Sequence, residues 1–448
     1  MKNKRGSLVV YLIAGTLVVL VLLFFIVPSP MYKKGFENLN EVLADAASKE
    51  ELAAPESLKD HRRPSWKTYH SKTQPGFVGR KLNALMSWIG IRKRPAWSAS
   101  FFKNLLDERI KAREAKGLSS SYEYVHRLVP TDKSRFVIWG DMYGAYHTLT
   151  RSLKKLNELG ILDDDLKIKS KDDYFVWMGD VNMRSPFVME LLSLIMKLDS
   201  LNEDRIIYMA GNNERGGSWY PLGLREEISF KAPHLTSEAN PLYKTIEKYF
   251  ETLPLGVYAS VPPHQNNDFV RMSHFSMVRP SKESYRPLFE LLRDEFFSAE
   301  LLKDRKEGVN KVIKLSDKPG DPDPEQVNVR AIIKAFRKTR EYQENPGLLY
   351  LVPEESASAW TLLSAPTVFV QKVLNFYNDS FSIVEVGPKI EDWTITLYYR
   401  DIRGPKEFKT KKFNFLSGKD INGQVEDEVK ESTENKAKNF TQDRPIRR

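Results

Sequence analysis

Four polar residues stand where strand-like runs of side chains stop. Asp141 and Gly140 follow Arg135–Trp139, Asp180 and Gly179 follow Tyr174–Met178, Asn212 and Gly211 follow Arg205–Ala210, and His274 lies just beyond Asp268–Met272. A fifth string, Ser364–Thr367, closes the run Ala359–Leu363. Carboxylate and imidazole donors brought to the ends of neighbouring strands can assemble a dinuclear metal centre, in which a shared carboxylate holds two ions roughly 3.5–4 Å apart. A single ion held by three such donors would match the number found in an open catalytic zinc site. The same short polar residues also cap turns and helices by accepting backbone N–H groups. Both readings stand at this point.

The elements that must position these groups follow a clear rhythm. Helical patterns at Tyr146–Leu159 and Pro186–Leu198 separate the first three strands, which predicts an α/β sheet with its working loops at the strands' carboxyl ends. Later strands are expected at Gly347–Val352, Ala359–Leu363, Phe381–Val386 and Trp393–Arg400, with no helix between them, as in an antiparallel second sheet. The whole working domain spans about 133–416, with a charged, largely helical insertion at about 281–343 broken by the Pro- and Gly-containing stretch Asp317–Glu325. Residues 35–132 read as a basic helical connector. Within it Gly79–Pro95 has the pattern of a basic amphipathic helix, suited either to anionic lipid or to packing on the domain. Phe101–Lys116 is an ordinary amphipathic helix with Phe102, Leu105, Leu106 and Ile110 on one stripe. The tail 417–448 is polar and charged and is expected to be disordered.

The amino end is specific. Leu8–Val27 runs twenty residues without a charge, preceded by Lys2, Lys4 and Arg5 and followed by Pro28, Pro30, Lys33 and Lys34. At about 1.5 Å per residue the run reaches roughly 30 Å, the thickness of a hydrocarbon core. A signal peptide has a shorter apolar region with a small-residue cleavage site directly after it. Residues 1–34 are therefore expected to be an uncleaved single-pass membrane anchor, in contact with lipid through this helix. The chain of 448 residues carries a formal net charge of +10 and no cysteine, which excludes disulfides, thiolate metal sites and cysteine nucleophiles. No nucleic-acid motif accompanies the charge, and nucleic acid is not an expected partner.

The strings GDMYG at Gly140–Gly144, GDVNMR at Gly179–Arg184, GNNE at Gly211–Glu214, the histidine His274 and SAPT at Ser364–Thr367 together resemble the calcineurin-like metallophosphoesterases, in particular their phosphoprotein phosphatase branch. The resemblance covers about 130–400 and rests on the order and spacing of the strings. It implies a two-sheet β-sandwich flanked by helices, here preceded by a transmembrane helix. It also implies that Asp141 and Asp180 are metal ligands, Asp180 the bridging one, that Asn212 and His274 are ligands of the second ion, and that Arg184 holds a phosphate oxygen with its fixed fork of donors. Ile246–Leu255 is similar to the helix and turn before the family's first later histidine.

This sequence departs from the family where the chemistry lies. Tyr143 stands in place of a histidine ligand, Asn213 in place of the histidine that protonates the leaving oxygen, and Met183 in place of the aspartate that orients it. No histidine follows His274, and Pro353 and Glu354 stand where a Gly-His is expected. The resemblance therefore leaves no general acid and at most one divalent ion (Mn, Zn or Fe), or none. A phenolate at Tyr143 would suit ferric iron; His147 could face the site from the first helical turn or be an exposed or satisfied helix histidine, and Glu354 could replace the missing histidine as an oxygen ligand. Three functions follow as expectations: a catalytically impaired pseudophosphatase binding a partner or phosphorylated ligand, an active phosphatase with an altered or single-metal site acting on phosphoprotein or another phosphomonoester, and an architectural membrane protein.

Overall fold

The computed structural model describes residues 35–49, 51, 66, 69, 86, 97–118, 124–211, 213–214, 220–235, 242–262, 268–274, 296–298, 328–335, 347–351, 358–367, 370–371 and 375–421. The expected membrane anchor, nearly all of Gly79–Pro95, most of the insertion and the tail beyond Ile421 lie outside these residues. No helix of the described residues is long and apolar enough to cross a membrane.

Two sheets face each other. The first has six strands: β2 (Arg135–Trp139), β3 (Asp173–Trp177) and β4 (Ile206–Tyr208) run parallel, and β11 (Asn378–Glu385), β12 (Thr394–Asp401) and β13 (Lys409–Asn414) extend it antiparallel from the other side of β2. The second has seven strands, in the order β7 (Phe296–Ser298), β1 (Tyr124–Leu128), β5 (Gly256–Ser260), β6 (Asp268–Ser273), β8 (Asn328–Ala335), β10 (Ser358–Leu362) and β9 (Leu348–Leu351). Side chains alternate across each strand. Phe136 and Ile138 of β2 and Val176 of β3 therefore join Val257, Val270, Met272, Trp360 and Leu362 between the sheets. Val137, Trp139, Phe175 and Trp177 point the other way, into a core shared with the helices. The Trp139 and Trp177 rings stack there with centroids 4.7 Å apart.

Those helices are α1 (Leu39–Ala47), α2 (Ala99–Ala115), α3 (Tyr146–Glu158), α4 (Val188–Leu201), α5 (Arg225–Lys231) and α6 (Leu242–Glu251). Asn38 and Ser98 start α1 and α2 as N-caps, their side chains accepting the N–H groups of Glu41 and Phe101. Helix α4 is apolar on nearly every side because α2 covers the face that the sheet does not.

Three expectations are corrected. The stretch 35–132 is more than a connector: Phe36, Leu39, Val42, Phe102 and Leu106 belong to the main helical core, and β1 pairs with β5 in the second sheet. Its YVHRL strand is too polar to announce itself. Within the supposedly helical insertion, Asn328–Ala335 is a strand between β6 and β10, with Ile333 fully buried between the sheets. The late strands do not form one sheet, since β9 and β10 belong to the second while β11 to β13 complete the first. Sequence order alone does not say which edge a strand joins.

Candidate functional site

Adjacent parallel strands β2, β3 and β4 end side by side, with Trp139 opposite Trp177 and Trp177 opposite Tyr208. The loops that follow are tight. Gly179 has φ +92°, and a Cβ there would lie 2.5 Å from the Gly211 nitrogen. A Cβ on Gly211 would lie 2.3 Å from Asp180 Oδ1. Tyr143, Asp180, Met183 and Arg184 all adopt positive φ, a conformation that costs L-residues free energy and collects at functional sites. The N–H groups of Met142 and Tyr143 donate to the Asp180 carbonyl at 3.2 and 2.9 Å, tying the first loop to the second.

Glu214 fastens the third loop to the second. Its carboxylate accepts N–H groups from Asp180 at 2.9 Å, Val181 at 3.0 Å and Gly211 at 2.8 Å, and the Tyr208 hydroxyl at 2.8 Å. The last residue of GNNE is thus a clamp holding two of the strand-end turns together. The sequence offered the glutamate but no sign of this role. Ser364 does similar work opposite, its Oγ accepting the Gly140 N–H at 2.8 Å, while Asp141 and Leu363 form an isolated parallel bridge.

Asp141, Asp180 and His274 come together on this frame. His274 Nε2 lies 3.4 Å from Asp180 Oδ1 and its Nδ1 lies 3.9 Å from Asp141 Oδ1. Nδ1 also sits 2.9 Å from the Met178 carbonyl, which can only accept, so Nδ1 carries a proton. Burial presses the imidazole toward neutrality, but Asp180 and Asp141 outweigh it and raise the His274 pKa. Burial, with the neighbouring Asp141 charge, likewise pushes Asp180 up to about 8 against the opposing pull of His274.

The substituted residues act directly on these carboxylates. The Tyr143 phenol donates to Asp141 Oδ2 at 2.6 Å. Burial, then the Asp141 and Asp180 charges, raise the phenol's pKa well above its ordinary value, so it is a neutral donor. Asn213 donates its backbone N–H to Asp180 Oδ1 at 3.1 Å and its side-chain amide to Asp180 Oδ2. Met183 is buried among apolar neighbours and Arg184 places its guanidinium 5.5 Å from the Tyr143 ring centre. His147 turns away, its Nε2 donating to the Ala46 and Lys49 carbonyls at 3.2 and 3.1 Å. Asn212, Pro353 and Glu354 lie outside the described residues.

A metal ion needs lone pairs that face a common point. Here Asp141 Oδ2 and both Asp180 oxygens receive protein hydrogen bonds, all three from the two residues that replace histidines. Among the described residues no group of three histidine, aspartate or glutamate side chains is set to hold an ion. The described donors therefore do not fit a metal pair.

Two sheets, strand-end aspartates and the Gly-Asp, Gly-Asp, Gly-Asn order define a metallophosphoesterase-type fold. Residues 134–351 match the family model "calcineurin-like phosphoesterase", a family whose members typically use divalent metals. No curated protein matches the chain. Among solved structures it is similar to a protein serine/threonine phosphatase from Saccharomyces cerevisiae, at 14% identity and TM-score 0.43 over 74% of this chain and 96% of that one. It is also similar to a cold-active protein-tyrosine phosphatase from a Shewanella species, at 14% identity and TM-score 0.35 over 63% of this chain and 83% of that one.

Proposed function

We propose that this protein is a membrane-anchored pseudophosphatase of the calcineurin-like superfamily, which binds a phosphorylated ligand or partner without hydrolysing it. One observation carries the reading: Tyr143, in place of a ligand histidine, and Asn213, in place of the proton-donating histidine, turn hydrogen-bond donors onto Asp141 and Asp180. A carboxylate oxygen engaged by a protein N–H or O–H is less available to a cation, and removing that donor's partner carries a desolvation cost. Among the described residues, Asn213 stands where the leaving oxygen would be protonated, and an amide cannot donate a proton as an acid does. The retained Arg184 supports continued recognition of a phosphoryl group. Leu8–Val27 supplies the anchor in this reading.

The test is metal content and aryl phosphate turnover of the full chain in detergent with added Mn²⁺. We expect less than one ion per chain and no turnover above solution background. Two bound ions, with turnover abolished in Asp180→Ala, would overturn the proposal in favour of an active phosphatase. Phosphopeptide binding unchanged by Arg184→Ala would count against use of the cleft and favour an architectural role.

A further inference from the structure

Beside the carboxylate cluster lies a second cavity of about 50 Å³, and none of Asp141, Asp180 or His274 lines it. Its walls come from four places. The turn entering α3 contributes Gly144 to Thr148, the turn entering α4 contributes Arg184 to Phe187, the SAPT turn contributes Pro366 and Thr367, and the amino-terminal stretch contributes Glu51 and Trp66. At about 10–15 Å³ per water position this space suits a group the size of phosphate.

Two of its wall residues carry unpartnered hydrogen-bonding groups. Trp66 is 3% exposed and Thr367 is 9% exposed, and neither the indole N–H nor the Thr367 hydroxyl has a hydrogen-bond partner among the described residues. A buried polar group left in that state costs stability unless a ligand or water satisfies it. Ala145 occupies the N-cap of α3 and makes no side-chain cap, so the thirteen-residue helix turns the positive end of its dipole toward the cavity, with the Tyr146 N–H already donating to the Gly144 carbonyl at 2.9 Å. Arg184 adds a full charge. The one carboxylate in the wall, Glu51, is already gripped by Arg151, whose NH1 and NH2 donate to its two oxygens at 2.7 and 2.6 Å.

We infer that this cavity is an anion site that takes the phosphate group of a phosphomonoester or free phosphate, held by Trp66, Thr367, Arg184 and the start of α3. The inference rests on the reading of a cleft that binds without hydrolysing, and it moves the ligand away from the former metal centre. It also gives the amino-terminal stretch a share in recognition. Trp66 is held by its own N–H, which donates to Glu226 at 2.7 Å, and its ring meets Tyr69 edge to face.

Calorimetric titration of the full chain in detergent with inorganic phosphate, and separately with phosphoserine, tests this. We expect saturable binding with Kd at or below about 1 mM, weakened about tenfold in Thr367→Val and in Trp66→Phe and unchanged in Asp180→Asn. Thr367→Val keeps the side chain's shape and should melt no lower than the parent, so it decides the matter if Trp66→Phe folds poorly. Tighter binding of phosphoserine would assign the source to a phosphomonoester, and equal binding to the free ion. Binding unchanged in both Thr367→Val and Trp66→Phe would place the anion elsewhere and overturn this inference while leaving the pseudophosphatase proposal standing. Absence of saturable binding would overturn it outright. Metal-dependent turnover would instead sink the pseudophosphatase proposal, whatever the titration shows.

Discussion

Glu214 grips the backbone of Asp180, its Oε2 accepting the Asp180 N–H at 2.9 Å across 34 residues of sequence. With the N–H groups of Val181 and Gly211 and the Tyr208 hydroxyl, this carboxylate satisfies four buried donors at once. Glu214→Ala would leave all four without their acceptor. We expect a loss of about 3–5 kcal/mol, read as a lower urea midpoint. A change under about 1 kcal/mol would show that water or another acceptor replaces the clamp.

Tyr143→Phe removes only the hydroxyl that donates to Asp141 Oδ2. The buried carboxylate then lacks a charge-assisted hydrogen bond, and we expect a cost of about 1–3 kcal/mol in chemical unfolding. The double change Tyr143→His with Asn213→His should do the reverse for metals. It removes both side-chain donors from the carboxylates and restores imidazoles, so metal analysis after dialysis against Zn²⁺ should find more ion than in the parent. Equal metal content in parent and variant would mean that the donors are not what limits binding.

Backbone geometry gives a third expectation. Gly179 at φ +92° has the Gly211 nitrogen 2.5 Å from where a Cβ would stand. Gly179→Ala combines left-handed strain with a clash against main chain, and should cost more than the roughly 1–2 kcal/mol of the conformation alone. Thermal unfolding would reveal it. The same change at Gly160, where no atom crowds the Cβ position, should cost only the conformational part.

The pH dependence of stability should carry the mark of another buried cluster. Lys231 Nζ donates to Glu190 at 2.5 Å and to Glu227 at 2.7 Å, and Glu227 also accepts the N–H groups of Val188 and Met189 at the start of α4. One cation serves two carboxylates. Burial pushes Glu227 up to about 7 against the pull of Lys231, with Glu190 pushing the same way. A carboxyl raised above its ordinary value holds its proton in the folded state, so this contribution is full below about pH 4.5 and is lost as pH rises to about 7. Glu227→Gln should flatten that slope in urea midpoints, although the amide accepts fewer bonds and the plateau will be lower. An unchanged slope between pH 5 and 7 would assign it to other groups.

Much of the site was legible because it is local. Asp141, Asp180 and His274 were placed by strand endings that the sequence marks with apolar runs, and the structure brings all three together. Helix α6 and the turn after it were visible only through the family resemblance of Ile246–Leu255. What was not legible depends on partners distant in sequence. Nothing in GNNE says that its glutamate will reach back to two other turns, and nothing in Tyr143 or Asn213 says which oxygen each will meet. Strand β8 was hidden in a charged stretch, and β13, with Lys409, Lys411 and Lys412, reads as solvated because it is an edge strand. Such strands owe their place to a neighbour's hydrogen bonds more than to their own apolar content.

The placement of β2 between β3 and β11 also sets a timetable. The Gly140 N–H that closes this strand waits for Ser364, 224 residues further along the chain. At about 5–20 residues per second, translation reaches that partner on the order of ten to forty seconds after β2 is made. Until β11 follows, the β2–β3–β4 unit leaves the β2 edge, as well as that of β4, open to whatever strand arrives first. The growing chain therefore has an interval of vulnerability to mispairing, and its yield in cells should respond to elongation rate and chaperone supply more than its final stability would suggest.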